Sequence, residues 1–273
     1  MDELNGNIDL DMEELAKLVE DRPLSNTEKL RDLIASSNNI VFFGGAGVST
    51  ESNIPDFRSN NGIYQEKKYP HSAERMLSAS YFEEYPEQFY DFYLNELVYE
   101  NAEPNIAHRA LAALEKMGKL RGVITQNVDG LHQKAGSKIV VELHGSVYRN
   151  YCPECWARYD LEHMLKWRGS GEAPKCSKCG GIVRPDVVLY EEPLQSDNWD
   201  WANHLIREAD LFIVGGTSLV VYPAAALVRS YHGKKMVLIN MSSTPFDHYA
   251  DLVIHKPIGA TFARIMEDLG YEC

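Results

Sequence analysis

Ile40-Val41-Phe42-Phe43-Gly44-Gly45-Ala46-Gly47-Val48-Ser49-Thr50-Glu51-Ser52 is the stretch on which the fold turns. Apolar residues run without a polar interruption straight into glycines. So short an apolar run, ended so abruptly, predicts a strand buried on both faces, as in a parallel sheet. Glycines after such a strand let backbone amides approach a pyrophosphate. A helix N-terminus behind them would add unpaired N–H groups and the positive end of a dipole. A tight strand-to-helix turn holding no ligand is the other reading. In its favour, Thr50 stands where the usual dinucleotide fingerprint has Gly or Ala, and no acidic residue closes the expected second strand.

Outward from this stretch, similar short apolar runs recur at Gly122–Thr125, Leu211–Val214, Met236–Ile239 and Leu252–Ile254. Helical patterns lie around and between them, at Thr27–Ser37, Ile106–Met117, Trp199–Glu208, Pro223–Tyr231 and Thr261–Leu269. Buried strands alternating with helices predict an α/β fold, a doubly wound parallel Rossmann-like sheet that binds ligands beyond the carboxyl ends of its strands. Two stretches break the alternation. Residues 63–103 are rich in Tyr, Phe and Glu and read as inserted helices, whereas residues 147–184 carry paired cysteines and little strand pattern. Together they are expected to form a smaller zinc-ribbon and helical insertion domain, beside a cofactor domain of residues 25–62, 104–146 and 185–273. Residues 1–24 read as a short helical extension with Leu15, Leu18 and Val19 on one face.

A chain of 273 residues suits one large domain or a core with a satellite. Its net charge of -13 argues against nucleic acid and anionic membranes as partners; it could favour basic substrate segments, although solubility alone would explain it. No apolar run reaches the roughly 18 residues of a membrane span. The acidic N-terminus lacks the basic lead of a secretory signal. Cys152-Pro-Glu-Cys155 and Cys176-Ser-Lys-Cys179 are separated by 20 residues, which predicts a closed tetrahedral zinc site in a reducing compartment, the cytoplasm. The basic residues around the ribbon, such as Arg158 and Lys166, are offset by Glu154, Asp160, Glu162 and Glu172, so no nucleic-acid stripe is expected.

Thr125-Gln126-Asn127-Val128-Asp129-Gly130-Leu131-His132 follows a buried strand. Its adjacent polar side chains suit directional recognition of an amide and a ribose; equally, Asp129 could simply cap the next helix. Glu142-Leu143-His144-Gly145-Ser146 sets a histidine at a strand end, where a structural role and a general base are both open. Gly215-Gly216-Thr217-Ser218-Leu219 is a second small-residue loop after a strand, and Asn240 ends another strand with a side chain able to meet a ribose hydroxyl.

Read together, Gly45-Ala46-Gly47-Val48-Ser49-x-x-Ser52-x-Ile54-Pro55-Asp56-Phe57-Arg58, the Gln126-Asn127-Val128-Asp129 string and Glu-Leu-His144-Gly-Ser resemble the sirtuin motifs, in family order from about Asn39 to the C-terminus. The resemblance is to the bacterial type with a minimal catalytic core. It implies NAD-dependent removal of acetyl groups from protein lysines. In such enzymes the acyl oxygen displaces nicotinamide to give an alkylimidate, and water later releases lysine and O-acetyl-ADP-ribose. His144 would be the base, with Asn127 beside it. Gly45, Ala46, Gly47, Thr50, Asp56, Gly216, Thr217, Ser218, Asn240 and Ile258 would contact NAD. Phe57 would shield the site from returning nicotinamide and Arg58 would order the cofactor. Gln126 and Asn127 would face the nicotinamide ribose, Asp129 and the Val128 backbone would hold the carboxamide, and His132 would be structural. Val187, Val188, Leu189 and Tyr190 resemble the segment to which an acyl-lysine peptide adds as a strand.

The departures are Gly44 for a usual Thr, Asn53 for a usual Gly, and Glu191 for a usual Gly at the peptide channel. Residues 81–99 contain no arginine, so the Tyr-x-x-Arg pair of succinyl- and malonyl-preferring sirtuins is missing and neutral acyl groups are expected. The partners implied are acetylated proteins or peptides, met by a monomer. A mono-ADP-ribosyltransferase and a non-catalytic NAD sensor or zinc-ribbon adaptor are the rival functions.

Overall fold

β1 (Ile40–Gly44) is buried along its whole length, and the rest of the molecule is arranged around it. The computed structural model describes residues 24–59, 62–63, 68–233 and 235–271; the helix expected before Leu24, and Cys273, lie outside them. In chain order, α1 (Asn26–Ser36) precedes β1, and α2 (Ala73–Met76), α3 (Ala79–Glu84) and α4 (Pro86–Glu96) follow it. Next come α5 (Ile106–Lys116), β2 (Leu120–Thr125), α6 (Leu131–Ala135), β3 (Val140–Glu142), β4 (Gly145–Tyr151) and β5 (Arg158–Tyr159). The chain continues through α7 (Leu161–Leu165), β6 (Arg184–Val187), α8 (Ser196–Glu208), β7 (Leu211–Gly215), β8 (Met236–Ile239), β9 (Leu252–Ile254) and α9 (Ile258–Asp268).

The main sheet has the order β3-β2-β1-β7-β8-β9, with every neighbouring pair parallel. Counted along the chain within this sheet, that is the 3-2-1-4-5-6 order of a Rossmann fold, and the order reverses between β1 and β7. Because all the strands point the same way, the residues after β1, β2, β3, β7 and β8 meet along one edge. Alternation within β1 explains the layers. Ile40 and Phe42 join α1, α5 and α9 in one core, while Val41 and Phe43 join α8 in another.

Helix starts follow local chemistry. Ser25 caps α1, its hydroxyl accepting from Glu28 N–H while the Glu28 carboxylate accepts from Ser25 N–H. Pro86 opens α4 at the position where its missing N–H costs nothing.

The insertions have their own core, in which Phe89, Tyr90, Phe92 and Tyr93 of α4 pack with Cys152, Cys176, Val187 and Leu189. The sequence shows little strand pattern between 147 and 184, yet a second sheet, β5-β4-β6, lies there. Its strands are short and interrupted, with a register shift between Ser146 and Asn150, so two-residue periodicity never accumulates. The helical patterns otherwise hold with shifted ends, except that Ala224–Ser230 is a 3₁₀ helix.

Candidate active site and metal centre

The glycine loop leaves β1 as two 3₁₀ turns, Ala46–Val48 and Thr50–Ser52, in place of the expected α-helix. Two contacts account for the difference. Gly47 donates to the Gly216 carbonyl at 2.8 Å, holding the first loop against the second. The turns then end at Asn53, which takes the left-handed conformation at φ 61°, as its short polar side chain allows, before Pro55. A Cβ on Gly47 would lie 2.9 Å from Gly216 Cα, so only glycine permits the approach. Thr50 Oγ1 turns back to the Gly47 carbonyl at 3.0 Å.

Asn105, the cap of α5, ties this loop down from below. Its Nδ2 donates to the Val48 carbonyl at 2.8 Å and to Ser52 Oγ at 3.0 Å, while its Oδ1 accepts from Ala107 N–H at 2.9 Å. Beneath it, His108 and His132 are buried with ring centroids 4.7 Å apart. Burial lowers the His108 pKa to about 4 and takes His132 well below its ordinary value. Both are core residues, neutral and removed from solvent.

Ser49 joins the two polar segments. Its hydroxyl donates to Asp129 Oδ2 at 2.6 Å and accepts from Asn127 Nδ2 at 3.0 Å. The other Asp129 oxygen accepts from Leu131 N–H at 2.9 Å, so this carboxylate holds the first N–H of α6 as well as the Ser49 hydroxyl. Burial raises its pKa, with the Ser49 and Leu131 hydrogen bonds opposing. Gln126 Nε2 donates to Thr217 Oγ1 at 3.0 Å, bridging the segment after β2 to the loop after β7. The Val128 carbonyl accepts from Val147 N–H at 3.0 Å, so the backbone group Val128 can present to a ligand is its N–H. Ser218 is exposed beside the buried Thr217.

His144 stands 2.9 Å from the Gln126 carbonyl through Nδ1. A carbonyl only accepts, so Nδ1 carries the proton and the basic lone pair is on Nε2. Burial lowers the imidazole's pKa, with the bond to Gln126 opposing, which keeps the ring neutral near pH 7. Gly145 follows at φ 81°, where a Cβ would lie 2.9 Å from the Asp186 carbonyl carbon and closer still to its oxygen. The histidine is thus locked at the join of β3, β4 and β6.

Other expected residues are more dispersed. Asp56 Oδ1 accepts from Arg58 N–H at 3.0 Å and Ser59 N–H at 2.7 Å, turning the chain so that Phe57 packs on the insertion core and Arg58 reaches Glu74 at 3.6 Å. Asn240 Nδ2 donates to the Ser242 carbonyl at 2.7 Å, and Ile258 is buried at the start of α9. Along the expected peptide wall, Val188 N–H pairs with the His144 carbonyl at 2.9 Å. Leu189 N–H is held by Glu192 at 2.8 Å, and Tyr190 is paired through both backbone groups, with Leu77 and Ala79. Glu191 sits at φ 78°, its carboxylate accepting from Ser80 N–H and Oγ, each at 3.0 Å. Sequence reasoning does not single out Ser49 or Asn105. Ser49 lies within the glycine string, and the cap position before α5 is the signal for Asn105.

The four cysteine sulfurs lie within 4.8 Å of one another, with Cys152–Cys179 at 3.4 Å and Cys155–Cys176 at 3.5 Å. A tetrahedral shell of ~2.3 Å Zn–S bonds needs sulfurs about 3.8 Å apart, so the set fits zinc with no open position. The Tyr159 hydroxyl donates to Cys176 Sγ at 3.1 Å, a bond that favours the thiolate a metal needs.

A nucleotide fold with facing glycine loops, a carbonyl-anchored imidazole at its carboxyl edge and a thiol-lined metal centre defines the class: a dinucleotide-using enzyme carrying a structural metal. The family follows from comparison. The Sir2 family model matches residues 45–223, and the chain belongs to that family. It is 57% identical over 249 residues to an NAD-dependent protein deacetylase of Clostridium tetani, covering 91% of this chain and 100% of that one. It is likewise 57% identical over 241 residues to one of Clostridium perfringens, covering 88% and 98%. A solved Sir2 complex with a p53 peptide and NAD+ superimposes with TM-score 0.78 at 41% identity, covering 90% of this chain and 99% of that one. Sir2Tm bound to a propionylated peptide gives 0.79 at 39%, covering 91% and 100%.

Proposed function

We propose that the chain is an NAD-dependent protein-lysine deacetylase that transfers the acetyl group to ADP-ribose, yielding nicotinamide, O-acetyl-ADP-ribose and free lysine. The observation that carries this reading is the His144 tautomer: Nδ1–H donates to the Gln126 carbonyl, which leaves the basic lone pair on Nε2. NAD supplies an electrophilic ribose carbon with nicotinamide as leaving group. Gly45, Ala46, Gly47, Thr50, Gly216, Thr217 and Ser218 receive its phosphates and adjoining ribose, and Asn240 and Ile258 its adenosine end. Asp56 shapes the turn from which Phe57 and Arg58 cover the nicotinamide side. Gln126 and Asn127 face the ribose, and Asp129 with the Val128 N–H holds the carboxamide. His144 Nε2 then takes a ribose hydroxyl proton, at the stage where a neutral imidazole is needed.

A peptide strand meets the wall at Val187 and Val188, with Leu189 and Tyr190 shaping its end. Zinc on Cys152, Cys155, Cys176 and Cys179 stays structural. We assign cofactor binding to residues 25–62, 104–146 and 185–273, and the small domain to 63–103 and 147–184, most of whose buried residues form one cluster that Val187 and Leu189 join from the cofactor side. Among the described residues no helix is long and apolar enough to cross a membrane. The protein acts as a cytoplasmic monomer on acetylated proteins, not on nucleic acid.

Mass spectrometry of an acetyl-lysine peptide with and without NAD tests the reading. Wild type is expected to remove 42 Da only with NAD, and His144→Ala to lose at least ~100-fold in rate. ADP-ribose left on the target, or a peptide untouched by wild type, would overturn it.

A further inference from the structure

Glu51 lies in the second 3₁₀ turn of the glycine loop, and no role falls to it in the reaction above. Its carboxylate accepts from Gly259 N–H at 2.9 Å, a contact between residues 208 positions apart. Gly259 is the second residue of α9, an 11-residue helix whose first N–H groups have no partner within the helix and carry the positive end of its dipole. The carboxylate also fills the place of a side chain there. A Cβ on Gly259 would lie 2.7 Å from Glu51 Cδ, and Gly259 is not one of the glycines with a positive φ. The missing side chain at 259 therefore makes room for Glu51 and meets no need of the backbone. On its other side, α9 begins with Ile258, which packs so closely on the end of β7 that a Cβ on Gly215 would strike its Cδ1. The first turn of α9 is thus held at two points, by Ile258 against β7 and by Glu51 against the glycine loop.

We propose that Glu51 is a positioning residue for the cofactor, fixing Ile258 and the first turn of α9 against the turn Thr50–Ser52 of the glycine loop so that the adenosine end of NAD meets a preformed wall. The inference rests on the cofactor placement proposed above and concerns binding alone.

Steady-state kinetics on the full chain separate it from a general structural role. Losing one hydrogen bond to a helix N–H is expected to raise the NAD KM of Glu51→Ala by about five- to tenfold, with kcat and the acetyl-peptide KM within about twofold of wild type. Glu51→Gln, whose amide oxygen still accepts from Gly259 N–H, is expected to stay within about threefold of wild type. Gly259→Ala displaces the carboxylate from the opposite side and should reproduce Glu51→Ala, and the double variant should be no worse than either single. An unchanged NAD KM in Glu51→Ala, an equal fall in kcat, or a multiplying double variant would overturn the proposal. NAD affinities measured by calorimetry on the same proteins should follow the same order without turnover. If wild type binds NAD but leaves acetyl-lysine intact, the deacetylase reading fails while the Glu51 contact is still decided.

Discussion

Replacing Gly145 with alanine puts the claim that His144 is locked in place under the most direct strain. The new methyl would sit 2.9 Å from the Asp186 carbonyl carbon and 3.1 Å from Val187 Cα, both backbone atoms of β6. The Asp186 carbonyl oxygen is nearer still, and carbon atoms rest at about 3.5–4.0 Å, so β4 and β6 must part by roughly 1 Å or more. Alanine must also hold φ near 81°, which costs about 1–2 kcal/mol, and the forced separation adds roughly 1–3 kcal/mol. The expected loss of stability is therefore about 2–5 kcal/mol. Because His144 is the preceding residue, a shift of that size moves the base by enough to cost about 100-fold in kcat. Urea unfolding and nicotinamide release measure the two effects. Gly136→Ala is the control, since Gly136 has φ 109° but nothing within 4 Å of a Cβ; it should lose stability with kcat unchanged. If Gly145→Ala kept kcat within about threefold and lost less than about 1 kcal/mol, the locking argument would be wrong.

The acid limb of kcat/KM should have its midpoint below 6.5, because burial lowers the His144 pKa and activity is lost only as pH falls through that depressed value; a midpoint above 7 contradicts the assignment. His108, at about 4 when folded and ~6.5 when unfolded, contributes stability that is complete above pH 6.5 and lost as pH falls toward 4. That amounts to about 3 kcal/mol, and His132 adds in the same direction, so urea midpoints should fall further with acid in wild type than in His108→Gln. One zinc per chain is expected by elemental analysis, and a chelator or Cys176→Ser should lower Tm and abolish deacetylation, since the metal ligands share a core with Val187 and Leu189. Acetyl-lysine should exceed succinyl-lysine in kcat/KM by at least ~10-fold: Tyr90 and Tyr93 are buried, Tyr90 bonds the Val183 carbonyl, and Arg184, the guanidinium beside Tyr90, is already committed to Glu192.

The main sheet is legible in the sequence because buried parallel strands leave unbroken apolar runs ending in glycine, as at Ile40–Gly44 and Leu211–Gly215. The second sheet is not. β5 has two residues and β4 slips register, so pairing there depends on partners distant in the chain and leaves no local period. The motif residues are readable one by one, but their bonding is not. Nothing in the string 45–52 says that Ser49 will meet Asp129, and the turn there is 3₁₀ because Gly47 is held to Gly216, a contact no local propensity encodes. The peptide wall shows the same limit: Tyr190 reads as an open strand, yet its backbone is already paired with Leu77 and Ala79.

At most helix starts Asn, Asp and Ser are near equivalents, since each needs only an oxygen for the first N–H groups. Position 105 is different. Its oxygen serves Ala107 and His108 while its nitrogen serves Val48 and Ser52, so the beginning of one helix and the shape of the loop above it hang on the two ends of a single carboxamide. Aspartate would turn a negative charge on the Val48 carbonyl, and serine would be too short to reach both ways. A residue that looks like an exchangeable cap is therefore restricted to one side chain by geometry that lies outside its own helix.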